Sequence, residues 1–311
     1  MQTVAEPARS PPAPQMRCAR GERGERGFVI VAVLWILMAL AALASAYALY
    51  TSNSAVAARV SSDRLQADAL ITAGLELTAL RLLGRSAEDP RSVGEFQFQM
   101  GGADVALRFR TEGARIDLNE APKELLAGLF KTLGAKADEA AYYADRIIGW
   151  RQKNKGTAQN KELGLYQDAG LKYGPRQAPF ENVAELRFVF GIPPALVESA
   201  MPFVTIFNGL PQIDAIAAAP QVIASLPHIQ PDIVNAIVAA GMAQDGKTIL
   251  SLIGPAKDSV SLEPRKATRV NLAISFKTGR RVAAEAVILV IDKDKEPYRI
   301  VAWRDDLDGA F

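Results

Sequence analysis

The stretch "RGERGFVIVAVLWILMALAALASAYALY", residues 23–50, sets arginines and a glycine against a long apolar run that opens with phenylalanine. The uncharged run reaches from Gly27 to Ala58, and its strongly apolar part is 28–50. At about 1.5 Å per residue, a helix of that length crosses a hydrocarbon core of roughly 30 Å. Arg17, Arg20, Arg23 and Arg26 crowd its N-terminal side. By the positive-inside rule, residues 1–27 stay in the cytoplasm and everything beyond residue 50 is carried across. An ordinary secretory signal is the competing reading, because "ALASAYA" (42–48) offers A-x-A-like triplets. Against it, the apolar region is too long, and the helical pattern continues to Gly84. Leu70, Ala73, Leu77 and Leu80 fall at 3-4-3 spacing on one helix face. One helix is therefore expected from about 28 to 83, with those four residues as candidates for packing along its apolar face.

Composition describes one membrane-tethered globular protein, since no later segment stays uncharged long enough to span. The sole cysteine, Cys18, lies before the apolar run, so a chain lacking residues 1–27 has no thiol for a disulfide or a metal. That same chain holds 31 basic and 31 acidic residues. Such a balance gives no general attraction to nucleic acid or anionic lipid.

Further along, "EFQFQMGGADVALRFR" (95–110) alternates apolar and polar residues on either side of Gly101-Gly102 and reads as a hairpin. "RVNLAISF", "RVAAEAVILVID" and "PYRIVAW", between 269 and 303, read as three more strands. Residues 116 to about 255 read mainly as helices. The expected fold class is α+β: a long N-terminal helix on an antiparallel sheet, with a large helical insertion of SAM-like or helix-hairpin-helix-like character. The expected division is 1–27 leader, 28–50 membrane span, 51–115 outer helix and first strands, 116–255 insertion, and 256–311 closing strands.

Within the insertion, "RIDLNEAPKELLAGL" (115–129) looks like a helix start, with Asn119 as its cap and Pro122 in its first turn. A degenerate echo follows 97 residues later at "QIDAIAAAPQVIASL" (212–226). Catalysis has little to work with. His228 is the one histidine and sits between proline and isoleucine, and no nucleophile set, HExxH or phosphate-cradling loop is present. A DNA-binding hairpin would aim backbone N–H groups at a phosphate. The candidate turn "GIPPA" (191–195) places Pro193 and Pro194 there, which have none.

The basic leader and "RG" before "FVIVAVLWILMALAALA" resemble type IV pilin-like proteins. That resemblance implies a prepilin peptidase cut between Gly27 and Phe28, N-methylation of Phe28, and a helix that survives as anchor and packing element. Such proteins usually carry glutamate at the fifth mature position, where its carboxylate neutralises a neighbour's N-terminal amine; here that position is Ala32. The absence itself resembles the K-type minor pseudopilins of the type II secretion system, which cap the tip. The 115–129 motif and "PFENVAELRFVFGIPPALVESAMPFVTIF" (179–207) are similar to the same family.

The resemblance implies a non-enzymatic, single-pass inner-membrane protein with a periplasmic C-terminal domain, supporting export of folded proteins across the outer membrane. Its implied partners are other minor pseudopilins in a tip complex, the major pseudopilin, the prepilin peptidase and the inner-membrane assembly platform, with no nucleic acid. The start codon is Met1 or Met16. The alternative is a signal-anchored periplasmic module binding DNA or protein. K-type subunits commonly hold calcium on an acidic loop. Here "GWRQKN" (149–154) places Gly149, Gln152 and Asn154 where aspartates would stand, among added lysines and arginines, so a tight calcium site is not expected. Glu162, Asp168 and Glu181 remain weak calcium candidates.

Overall fold

The computed structural model describes residues 25–84, 93–153, 157–263, 265–291 and 296–305. It divides into two compact units, Met1–Arg64 and Leu65–Phe311. Helix α1 (Glu25–Leu83) supplies all the described structure of the first unit and opens the second. From Phe28 onward it is long and apolar enough to cross a membrane.

In the second unit, α1 lies on a five-stranded sheet of order β1 (Val93–Met100), β2 (Ala103–Thr111), β5 (Ala267–Phe276), β6 (Arg281–Val290) and β7 (Tyr298–Asp305). Every neighbouring pair is antiparallel. Gly101 and Gly102 both take positive φ, 60° and 76°, as a two-residue hairpin turn requires. In β2, Ala103, Val105, Leu107 and Phe109 are buried while Asp104, Arg108 and Arg110 face out. These inward residues meet Leu70, Ile71, Leu75, Ala79 and Leu82 of α1 and the inner faces of β5 and β6 in one core.

Gly74 sets how closely helix and sheet approach. A Cβ there would lie 2.7 Å from Leu272 Cδ2 and 2.8 Å from Leu107 Cδ2. Gln66 Nε2 donates to the Gly101 carbonyl over 2.6 Å, pinning α1 to the hairpin turn.

Between β2 and β5 the chain forms the helical insertion: β3 (Ile116–Asp117), α2 (Lys123–Thr132), α3 (Ala137–Arg151), α4 (Thr157–Asp168), α5 (Pro194–Ala200), β4 (Val204–Thr205), α6 (Pro220–Ala224), α7 (Pro231–Met242) and α8 (Gly246–Ile253). Its core runs continuously from Ile116 to Val260.

The weak sequence echo corresponds to a repeated design. Ile116 pairs in parallel with Val204, and Ile213 forms a parallel bridge with Val260. Asp117 Oδ1 accepts from Asn119 N (2.8 Å), and Asp214 Oδ1 accepts from Ile216 N (3.0 Å). In each half a helix follows and matching residues are buried, Leu126 and Leu129 on α2, Ile223 on α6 and Leu226 just beyond it. The halves meet at Gly128, where an added Cβ would lie 2.0 Å from the Ser225 carbonyl oxygen.

One local expectation needs correction. Asn119 is not the cap of α2; the helix starts at Lys123, and Pro122 precedes it in extended conformation. The Asn119 amide instead grips the Phe180 backbone, accepting from its N–H (2.6 Å) and donating to its carbonyl (3.0 Å). Asp117 anchors this turn, accepting also from Gly209 N at 2.7 Å, and burial holds its carboxyl above the ordinary carboxylate range.

The insertion is tied to the sheet by a polar network. Glu112, fully buried in the 3₁₀ turn Glu112–Ala114, accepts from Arg269 Nε at 2.7 Å and from the Thr205 hydroxyl. The other edge of the Arg269 fork reaches Glu285 Oε1 at 2.5 Å. One guanidinium thereby joins β5, β6 and the first turn of the insertion.

Candidate functional site

The apolar segment from Phe28 and the solvent-facing side of α1 beyond residue 65 leave large apolar side chains exposed. Gly27 and Phe28 both lie on α1, and Phe28 is 77% exposed. Ala32 is one turn further along the same helix, and no carboxylate occurs between Phe28 and Ser62.

The four packing candidates separate. Leu70 is buried against the sheet, so it belongs to this chain's own core and is unavailable to a partner. Ala73 is half-buried, while Leu77 and Leu80 are exposed, Leu80 at 66%. Two apolar stripes thus run along the helix, and the 3-4-3 spacing crosses from one to the other. Leu65, also exposed, begins the outer stripe, which continues through Ala69, Ala73, Leu77 and Leu80 at 4-4-4-3 spacing. Leu65 and Ala69 extend the outer stripe beyond the four candidates, at a spacing the sequence itself displays.

The weak calcium candidates are not brought together. The Glu162 carboxylate is buried against Arg146, with Nη1 to Oε2 at 2.5 Å. Burial pushes Glu162 above the usual carboxylate range and Arg146 opposes that push. Glu181 pairs with Arg176, and Asp168 ends α4. Among the described residues no group of three or more histidine, cysteine, aspartate or glutamate side chains could hold a metal ion. Arg151 contributes to the same region by donating to the carbonyls of Leu118 (2.5 Å) and Ala121 (2.7 Å). Asn154 lies outside the described residues.

His228 is exposed with φ of 60°. In the "GIPPA" turn, Gly191 has φ of 80°, and a Cβ there would meet the Tyr142 ring at 2.8 Å. This glycine therefore serves the turn and its packing on α3.

Residues 107–209 match the family model described as type II secretion system (T2SS), protein K. No curated protein matches the chain. Among solved structures, a chain of the GspK-GspI-GspJ complex from the enterotoxigenic Escherichia coli type 2 secretion system is similar at 16% identity and a TM-score of 0.54. The similarity covers 79% of this chain and 98% of that one. The family match covers about a third of the chain and the solved structure shows a shared fold, so over that segment the chain is similar to protein K of the type II secretion system.

Proposed function

We propose that this protein caps the tip of a type II secretion pseudopilus, acting as a structural subunit that primes assembly and supports export of folded proteins across the outer membrane. The observation that carries this reading is the protein K match over residues 107–209. Ala32 supports the terminal position: a subunit with no carboxylate there offers an amine but cannot receive one, so nothing needs to stack above it. The outer stripe of α1 supports a lateral contact. An apolar helix face left in water favours burial against another helix, at roughly 25 cal/mol per Å² of apolar area.

The similar solved chain comes from a complex named for GspI and GspJ as well as GspK. By analogy the partners are the other minor pseudopilins, with the major pseudopilin, prepilin peptidase and assembly platform acting during biogenesis. Cleavage falls between Gly27 and Phe28, and Phe28 is then N-methylated. Residues 28–50 span the inner membrane, and 51–115, 116–255 and 256–311 make the periplasmic helix with first strands, the insertion and the closing strands.

Size-exclusion chromatography with light scattering, on the detergent-solubilised chain alone and with candidate minor pseudopilins, tests the proposal. The expected result is a monomer alone and a stoichiometric complex with partners. Homopolymers from this chain alone would refute the tip position.

A further inference from the structure

Where the insertion meets the outer face of the sheet, two cavities of about 550 and 780 Å³ lie side by side, each large enough for a small organic molecule. Arg115, Arg269 and Pro202 line both, so these are two lobes of one cleft.

The carboxylates facing the cleft already have cations. Glu112 and Glu285 share Arg269, and Glu95 sits 3.4 Å from Arg108. In the second lobe, Glu181 is held by Arg176, while the lining Arg187 is paired with Glu198. Arg115 is different. Among the described residues its guanidinium has no hydrogen-bond or ion-pair partner, although it is largely shielded from solvent. Burial, and then repulsion from Arg269, lower its affinity for the proton, and Glu112 and Glu285 offset this only in part. Among the described residues, nearby Arg110 meets a neutral group, donating to the Ala217 carbonyl at 3.2 Å. The cleft therefore carries excess positive charge on a half-buried fork with unused donors, which an anion entering the cleft would meet.

We propose that this cleft binds a small organic carboxylate, received by the Arg115 guanidinium. A planar fork matches two carboxylate oxygens. The rest of the lining suits an apolar body: Phe203 and Val222 in the first lobe, Val287, Val301 and Trp303 in the second. A bare phosphate would leave that lining unused and would want more cations than the cleft has to spare.

The test is isothermal titration calorimetry on the full chain in detergent, with glutarate and citrate as probes and inorganic phosphate and chloride as controls at matched ionic strength. The carboxylates should bind at millimolar concentration or tighter, and the controls more weakly. Arg115→Gln should weaken carboxylate binding about tenfold or more, as loss of a charge-assisted hydrogen bond does, and Arg115→Lys should weaken it less. Val301→Trp leaves every charge in place and narrows the second lobe from a position 41% exposed. It should also weaken binding, which keeps the proposal testable if Arg115→Gln fails to fold. Unchanged affinity in the variants that fold, equal binding of chloride or phosphate, or no carboxylate binding at millimolar concentration would overturn the assignment.

Discussion

Replacing Gly128 with alanine sets two effects of opposite sign against each other. Gly128 lies inside α2, where alanine is favoured over glycine by about 1 kcal/mol of helix propensity. The added Cβ, however, would lie 2.0 Å from the Ser225 carbonyl oxygen, 2.8 Å from its carbon and 3.1 Å from its Cα. All three are backbone atoms just beyond α6, so no side-chain rotation relieves the clash. Restoring an ordinary contact requires the two halves to separate by roughly 1 Å, and overpacking of this kind costs about 1–3 kcal/mol, occasionally more. With backbone as the obstacle the upper end applies, and the net loss is about 2 kcal/mol, or roughly 4–8 °C for a domain of this size.

Gly164 supplies the contrast. It is also helical, on α4, but a Cβ there meets nothing within 4 Å. Gly164→Ala should raise the melting temperature by as much as about 1 kcal/mol allows. Differential scanning calorimetry of both variants decides the matter. A Gly128→Ala protein as stable as the parent would show that the halves do not pack this closely.

Four further outcomes are expected. Leu80→Asp should leave the melting temperature within about 0.5 kcal/mol of the parent, because the side chain is 66% exposed, yet weaken co-purification with other minor pseudopilins. Leu70→Asp buries an unpaired carboxylate and should unfold the chain, as circular dichroism would register. Asp117 governs a pH effect: its carboxyl is raised by burial, so the folded chain keeps the proton to higher pH than the unfolded one. That contribution is complete below the unfolded pKa and is lost as pH rises through the folded pKa. The melting-temperature advantage of the parent over Asp117→Asn should therefore shrink as pH rises from about 4, then level off. Millimolar calcium should barely move the melting curve. A ligand at a hundredfold excess over Kd would add about 2.7 kcal/mol, and a chelator-reversible upward shift of that kind would reveal a metal site.

The long helix, the Gly101-Gly102 hairpin and the three closing strands were legible because each rests on local chemistry: an uncharged run, paired glycines and alternation of period two. The face of α1 was not. Leucine and alanine occupy both stripes, and the choice between them is made by Gly74 meeting Leu107 and Leu272, residues far away in sequence. The repeated halves were visible only as a faint echo, since what recurs is a geometry, an isoleucine in a parallel pair and an aspartate closing a turn, more than a set of identities. The fate of Glu162 was equally hidden. A carboxylate reads as a ligand candidate until the fold brings Arg146, 16 residues away, onto it.

The central claim is that the apolar helix is kept while the basic leader is lost, since an assembly subunit needs that helix and a secreted module does not. Mass spectrometry of the N-terminal peptide from membrane-purified protein measures this directly. The account predicts a mature chain that begins at Phe28, and a Gly27→Leu variant that persists as the uncut precursor. A mature terminus at Ser45 or Tyr47, inside the apolar run, would contradict it.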